Sequence, residues 1–297
     1  MSCDPAPDTR DRKTHQTTGT IMHKRHAGIL FLLAVPGFLA LGIFFILPLG
    51  SVLIEPFLDK GEAFMRLWQD PLFLRGLQGS VMLSLTAGVL SVLVGVPVAF
   101  SLARMRERSR LLVMFCISLP LTFSGLIVAY GFILSFGRAG FITQLLAYVG
   151  VSPEWMSGLV YSPIGLALAY CYYLIPRVVL LLLPVVSNFD NTLLTAATSL
   201  GATRPRIWMD IILPEIMPTL AVSFFLVSAI AFGAYGTALA LVGTQVNILP
   251  LLLYSRIADT GTDFPQAAAI SLVLLAICTL MISLAEMTAL RREHSKH

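Results

Sequence analysis

The chain has 297 residues, 57% of them hydrophobic and 12% charged, with a mean hydropathy of +0.83, whereas soluble domains are about 45–50% apolar and about 25% charged. Such a composition excludes a soluble globular fold, because a folded chain of this size would leave much of its apolar surface in water. The formal charge of +4 suits basic residues that flank membrane spans better than a nucleic-acid footprint.

Residues 1–26 are polar, carry His23-Lys24-Arg25-His26 at their end and show no apolar period, which predicts a disordered cytoplasmic tail. The apolar run that follows is too long for the h-region of a signal peptide, so it reads as an uncleaved span. Six runs stand out, at residues 27–54, 79–103, 111–136, 158–186, 216–243 and 265–285. Each exceeds the roughly 20 residues that a helix needs to cross the hydrocarbon core. Their continuous apolarity predicts helices rather than the alternating strands of a barrel. The fold class is therefore an all-α membrane protein, with residues 27–297 forming one six-span domain.

Lysine and arginine are divided unevenly among the connections. The tail (Arg10, Arg12, Lys13, Lys24, Arg25), the second-to-third connection (Arg104, Arg106, Arg108, Arg110), the fourth-to-fifth (Arg204, Arg206) and the C-terminus (Arg291, Arg292, Lys296) hold 14. The opposite side holds five, and Arg177 completes the 20. Both termini are expected on the cytoplasmic side. The cysteines show no C-x-x-C spacing and the histidines lie near the two ends of the chain, so neither a metal site nor a disulfide is expected.

One connection carries structure of its own. Residues 187–215 read SNFDNTLLTAATSLGATRPRIWMDIILPE. Asp190 is placed to cap a short helix with Leu193, Ala196, Ala197 and Leu200 on its apolar side, and Gly201 stands where a left-handed cap needs no Cβ. Thr203 is placed to cap a second helix with Pro205 in its first turn and Ile207, Trp208, Ile211 and Ile212 on one face. Pro214 is expected to break that helix before the fifth span. The two amphipathic faces suit either the lipid interface and the protein's own spans or a cytoplasmic partner.

The run Thr195-Ala196-Ala197-x3-Gly201-x9-Ile211-x-Leu213-Pro214 resembles the EAA loop of ABC importer permeases, E-A-A-x3-G-x9-I-x-L-P, at six of seven defined positions. The layout of six spans with both ends inside likewise resembles the MetI-like type I permeases. Leu174-Ile-Pro-Arg177 and the stretch 243–254 resemble most the branch that handles polyamines, aminoethylphosphonate, iron or thiamine. The resemblance implies an inner-membrane permease in which Thr195, Ala196, Ala197, Gly201, Ile211, Leu213 and Pro214 couple to a separate ATP-binding subunit. It implies two copies of that subunit, a second permease, identical or sister, and an extracytoplasmic solute-binding protein. Thr195 replaces the family's usual Glu, which removes a charge from the docking helix; Asp190 or Asp210 could supply one nearby.

No Gly-Lys-Ser/Thr occurs in the chain, so no phosphate-binding loop is present. The expected protein is a transporter subunit, not an enzyme, and binds no cofactor itself; ATP and magnesium act through the partner. Gly88, Gly95, Ser80 and Ser84 predict close helix approach in the second span, with a place along the solute path as the other reading. Pro36, Pro48, Pro97, Pro120, Pro163, Pro176 and Pro184 are expected to kink or end helices. Tyr130, Tyr170, Tyr173 and Tyr235, with Tyr172, are candidates for the solute path. Arg177, the single full charge within the six runs, suits either a structural role by snorkelling or attraction of an anionic solute. Two rival functions are an ion-coupled secondary carrier, which usually needs midplane acidic or His residues that these runs lack, and a non-transporting membrane scaffold, which would leave the loop register without a purpose.

Overall fold

A computed structural model describes residues 35–58, 61–189, 191–243, 245–258 and 263–294. The tail 1–26, the first eight residues of the first run and Asp190 lie outside them. The described residues are helical without strands, and six stretches are long and apolar enough to cross a membrane. The first, α1, is Val35–Leu58. After α2 (Glu62–Gln69) comes α3 (Pro71–Ala103), then α4 (Glu107–Ser118), a 3-10 turn Leu119–Thr122, and α5 (Gly125–Phe136), followed by α6 (Phe141–Ala147) and α7 (Pro153–Val160). The fourth spanning helix, α8, is Pro163–Ser187, and α9 is Asn191–Ser199. The fifth, α10, is Arg204–Phe232, and α11 (Gly236–Val242), α12 (Leu249–Ala258) and α13 (Phe264–His294) complete the chain.

The observed limits correct several expected ones. The second span begins eight residues early, at Pro71, because Asp70 caps it: the carboxylate accepts from Leu72 N at 2.9 Å and Pro71 occupies the first turn, where its missing N–H costs nothing. The third run, 111–136, is not one helix. Pro120 ends α4 in a 3-10 turn, Phe123 is extended, and Ser124 caps α5, so that the spanning stretch is Gly125–Ala147. The fifth run also divides, since α10 ends at Phe232 and α11 restarts at Gly236.

At the centre stands α8, with two thirds of its apolar window buried, against none of the corresponding window in α1. Its most extensive partner is α3, while α10 packs on α3, α8 and α13. Small residues make these approaches possible. A Cβ on Gly88 would lie 2.3 Å from Ser228 Oγ, and one on Gly95 would lie 2.7 Å from Val178 Cγ1. Ser84 and Ser80 are buried, and Ser80 Oγ accepts from Leu249 N at 2.8 Å, fixing the start of α12. The stripe along the second span therefore serves packing. A second cluster joins Ala63 and Leu67 of α2 with Phe73, Phe232, Leu249 and Ile270. There Asp70 also pairs with Arg256, so one carboxylate holds the first turn of α3 and the last turn of α12.

Candidate functional site

Two places carry the residues singled out by sequence, and α10 connects them. The first is the hairpin between α8 and α10. Helix α9 ends in a Schellman motif: Gly201 lies at φ +78°, its N–H donates to Thr198 O at 3.0 Å, and Ala202 N–H donates to Ala197 O at 3.0 Å. That conformation disfavours side chains with a Cβ. The expected apolar face of α9 divides, since Ala197 turns inward and Leu194 is half-buried, whereas Leu193, Ala196 and Leu200 are exposed in one stripe at i, i+3 and i+7. Thr195 is exposed beside that stripe, and its carbonyl accepts from Thr198 Oγ1 and Ser199 Oγ. Among the described residues, α9 makes no extended contact with another helix.

Pro214 does not separate the second loop helix from the fifth span. From Arg204 the chain stays helical to Phe232, passing through a π turn at Trp208–Ile212 whose exit bond runs from Leu213 N–H to Trp208 O. Proline deprives the residue four positions back of its donor, and the widened turn just ahead of it absorbs the mismatch. Pro48 is handled in the same way: the π turn Gly42–Ile46 precedes it at the same spacing. Thr203 holds the cap position without a side-chain capping bond, and its carbonyl accepts from Ile207 N at 3.0 Å. Ile207 is buried, Ile211 and Leu213 are half-buried and Pro214 is exposed. Asp210 pairs with Arg206 at 3.3 Å, so its charge is engaged within its own helix. Trp208 stacks obliquely on Phe100 at 5.1 Å and, with Val96, Pro97 and Arg104, lines a groove of about 510 Å³ against α3.

The second place is a cavity of about 330 Å³ where the chain leaves helical form twice, at 119–124 and 233–235. It is lined by Pro120, Phe123, Gly125, Tyr173, Arg177, Gly233, Tyr235 and Thr237, among others. Non-helical backbone at membrane depth is tolerated where it lines a cavity. A Cβ on Gly125 would lie 2.3 Å from Thr237 Oγ1, so glycine is what lets α5 begin against α11. Of the tyrosines expected along a path, Tyr173 and Tyr235 line this cavity. Tyr170 is instead wholly buried, its hydroxyl donating to Ala234 O at 2.8 Å and tying α8 to the second break. Tyr130 is 54% exposed on α5 and Tyr172 stands edge-on to Phe132; neither lines the cavity.

Arg177 is the charge of this cavity. Its guanidinium lies 5.7 Å from the Tyr173 ring centroid and Nη1 donates to Tyr173 O at 3.2 Å. No carboxylate lies within ion-pair distance of it among the described residues. Holding a guanidinium in a spanning helix costs about 2.5–3.5 kcal/mol on insertion scales, and the ring face returns only part of that. The break at 119–124 was signalled by Pro120 in the sequence. The break at 233–235 had only the Gly233 and Gly236 pair to mark it, and Thr237 had no signal at all.

Residues 91–293 match the family model described as the binding-protein-dependent transport system inner membrane component. The chain is 28% identical to the chloroplastic sulfate permease 2 of Chlamydomonas reinhardtii over 82% of its own length, spanning 65% of that protein. It is 27% identical to the spermidine/putrescine transport system permease protein PotB of Haemophilus influenzae, over 86% of this chain and 87% of PotB. In fold it is similar to a chain of a bacterial alginate ABC transporter solved in complex with an alginate pentasaccharide-bound periplasmic protein, with a TM-score of 0.69, 20% identity and coverage of 90% of this chain and 96% of the other.

Proposed function

The chain belongs to the family of binding-protein-dependent transport system inner membrane components, and from that premise we propose that α9 and the first turns of α10 dock into a separate ATP-binding subunit. The observation that carries this reading is the exposed stripe Leu193, Ala196 and Leu200, on a helix that makes no extended contact with another helix among the described residues. In this reading Thr195, Ala196 and Ala197 present the docking helix, Gly201 fixes its angle, and Ile211, Leu213 and Pro214 join it to the fifth span. Such a stripe needs a partner of its own shape. The missing Glu at Thr195 gives hydrophobic and shape complementarity the larger share of docking; Asp210 is paired with Arg206 in its own helix, and Asp190 lies outside the described residues.

The rest of the assembly follows from the same premise: two ATP-binding subunits, a second permease, identical or sister, and an extracytoplasmic solute-binding protein. The chain lies in the inner (plasma) membrane with both termini cytoplasmic, an orientation that the bias of basic residues supports. ATP and magnesium are handled by the partner and no cofactor by this chain, whose work is mechanical. The solute is a small polar or charged molecule. Helix α10, 29 residues long and thus about 43 Å, runs from the docking hairpin to the cavity at Gly233. A displacement imposed at Arg204 is delivered there as a rigid-body movement.

The test is co-purification. The tagged chain, expressed together with an ATP-binding-cassette subunit and a second permease encoded in the same genome, is expected to bring down the ATPase. Gly201→Val places a β-branched residue at φ +78°, a strain of roughly 1–3 kcal/mol, and should lower recovered ATPase or coupled ATP hydrolysis at least about fivefold. Either recovery of the chain without an ATPase, or an ATPase whose recovery and coupled hydrolysis are both unchanged in Gly201→Val, overturns the reading.

A further inference from the structure

We propose that the cavity at the two helix breaks receives the anionic group of the transported solute, a sulfate-, phosphonate- or carboxylate-like oxyanion, on the guanidinium of Arg177. This rests on the reading that the chain lines the solute path, and it narrows the solute to molecules that carry a negative group.

The argument is a count of donors and acceptors. Arg177 has five N–H donors in a planar fork, and one of them is engaged, at Tyr173 O. Its positive charge meets no carboxylate among the described residues. The side chain does not snorkel away from the bundle: it lies along the Tyr173 ring and lines the cavity. Some of the acceptors around the second break are consumed. Ala229 O accepts from Gly233 N, Ala231 O from Ala234 N, and Ala234 O from the Tyr170 hydroxyl. What remains facing the space is the unengaged part of the Arg177 fork, for the Thr237 hydroxyl bonds the Tyr173 side chain and the Tyr235 hydroxyl bonds that of Tyr254. The positive end of α5 opens on the same space through Gly125, adding a field of the same sign. A cation such as a polyamine would enter against that field, whereas an oxyanion would complete the fork in bidentate geometry.

The test uses the whole complex, this chain with its co-purified ATPase and second permease, in nanodiscs of phosphatidylcholine at constant ionic strength. The probes are inorganic sulfate, 2-aminoethylphosphonate and spermidine, and the readout is the ligand-dependent shift in melting temperature. One or both anions should give a saturable shift and spermidine none. Arg177→Gln should weaken the anion at least about tenfold, and Arg177→Lys by less, since a point charge keeps attraction but loses the fork. Retained co-purification of the ATPase and the second permease in native proportion shows that each variant is assembled. Three results overturn the proposal: no saturable anion shift in the native complex, an anion affinity unchanged in Arg177→Gln, or spermidine bound as tightly as the anions. Adding phosphatidylglycerol distinguishes a solute site from a lipid headgroup site: suppression of the anion shift in the native complex would assign Arg177 to lipid and overturn the proposal. A complex that contains no ATPase would break the transporter reading itself, a failure separate from loss of anion binding.

Discussion

Pro120 and Pro214 sit in comparably apolar surroundings, yet one ends its helix and the other does not. Around Pro120 the chain has Ser118, Thr122 and Ser124, whose hydroxyls bond local backbone: Ser118 Oγ to Phe115 O, Thr122 Oγ1 to Leu119 O, and Ser124 Oγ from Ile127 N. Groups orphaned by an interruption are satisfied there, so the helix can stop and restart. Around Pro214 the sequence WMDIILPE has no small hydroxyl and no glycine. The helix instead widens into the π turn Trp208–Ile212 and continues. The difference teaches that the fate of these two prolines is decided by their neighbours' ability to replace lost hydrogen bonds; at Pro97, Pro176, Pro184 and Pro218 the helix neither stops nor widens. The difference also divides the labour: the interrupted helix forms a cavity wall, and the uninterrupted one forms a rod that reaches it.

The contrast can be broken most severely at Ile216, which is 1% exposed in α10. Ile216→Pro adds a proline between Pro214 and Pro218, at a buried position of α10 where the side chain is packed and a third interruption within five residues meets no further widened turn. We expect a loss of about 3 kcal/mol or more, read as a large fall in the melting temperature of the purified complex and loss of coupled ATP hydrolysis. An unchanged melting temperature would mean that the rod accepts proline anywhere. Pro214→Ala sharpens the contrast in the opposite direction. A restored donor should let the turn relax to α geometry, adding about 1 kcal/mol and about 2–4 °C of melting temperature. The relaxation would turn the residues before it by about 100°, so coupled hydrolysis should fall while stability rises. A variant with both quantities unchanged would show that the proline does not cause the π turn. The smallest effect belongs to Ser124→Ala. Its capping bond is long, 3.5 Å, so we expect the low end of the capping range, about 0.5 kcal/mol. A much larger destabilisation would mean that Ser124 does more than cap α5.

The spanning architecture was legible because burial in lipid is written in composition alone, and a run of 20 apolar residues needs no partner to be recognised. Gly201 was legible for a local reason, as its positive φ is set by the end of its own helix. Three things depended on distant chain and were not. The fate of Pro214 required knowing that the helix could widen ahead of it. Tyr170 and Tyr173 are three residues apart on α8, yet one hydroxyl is consumed at Ala234 O and the other residue borders a cavity; helical phase could not tell them apart without the place where α10 ends. Arg177 left two readings open, and where its side chain lies, along the Tyr173 ring and in the cavity wall, came from the fold. The hairpin's register pointed to a docking surface, whereas which of its apolar residues face outward came from the fold.

Asp70 offers a last consequence. Its side chain caps α3 and also grips Arg256 on α12. Two helices that share one carboxylate cannot be loosened independently, because whatever draws the carboxylate from one withdraws it from the other. The beginning of the second span and the end of α12 thus behave as a single hinge leaf, with one latch rather than two.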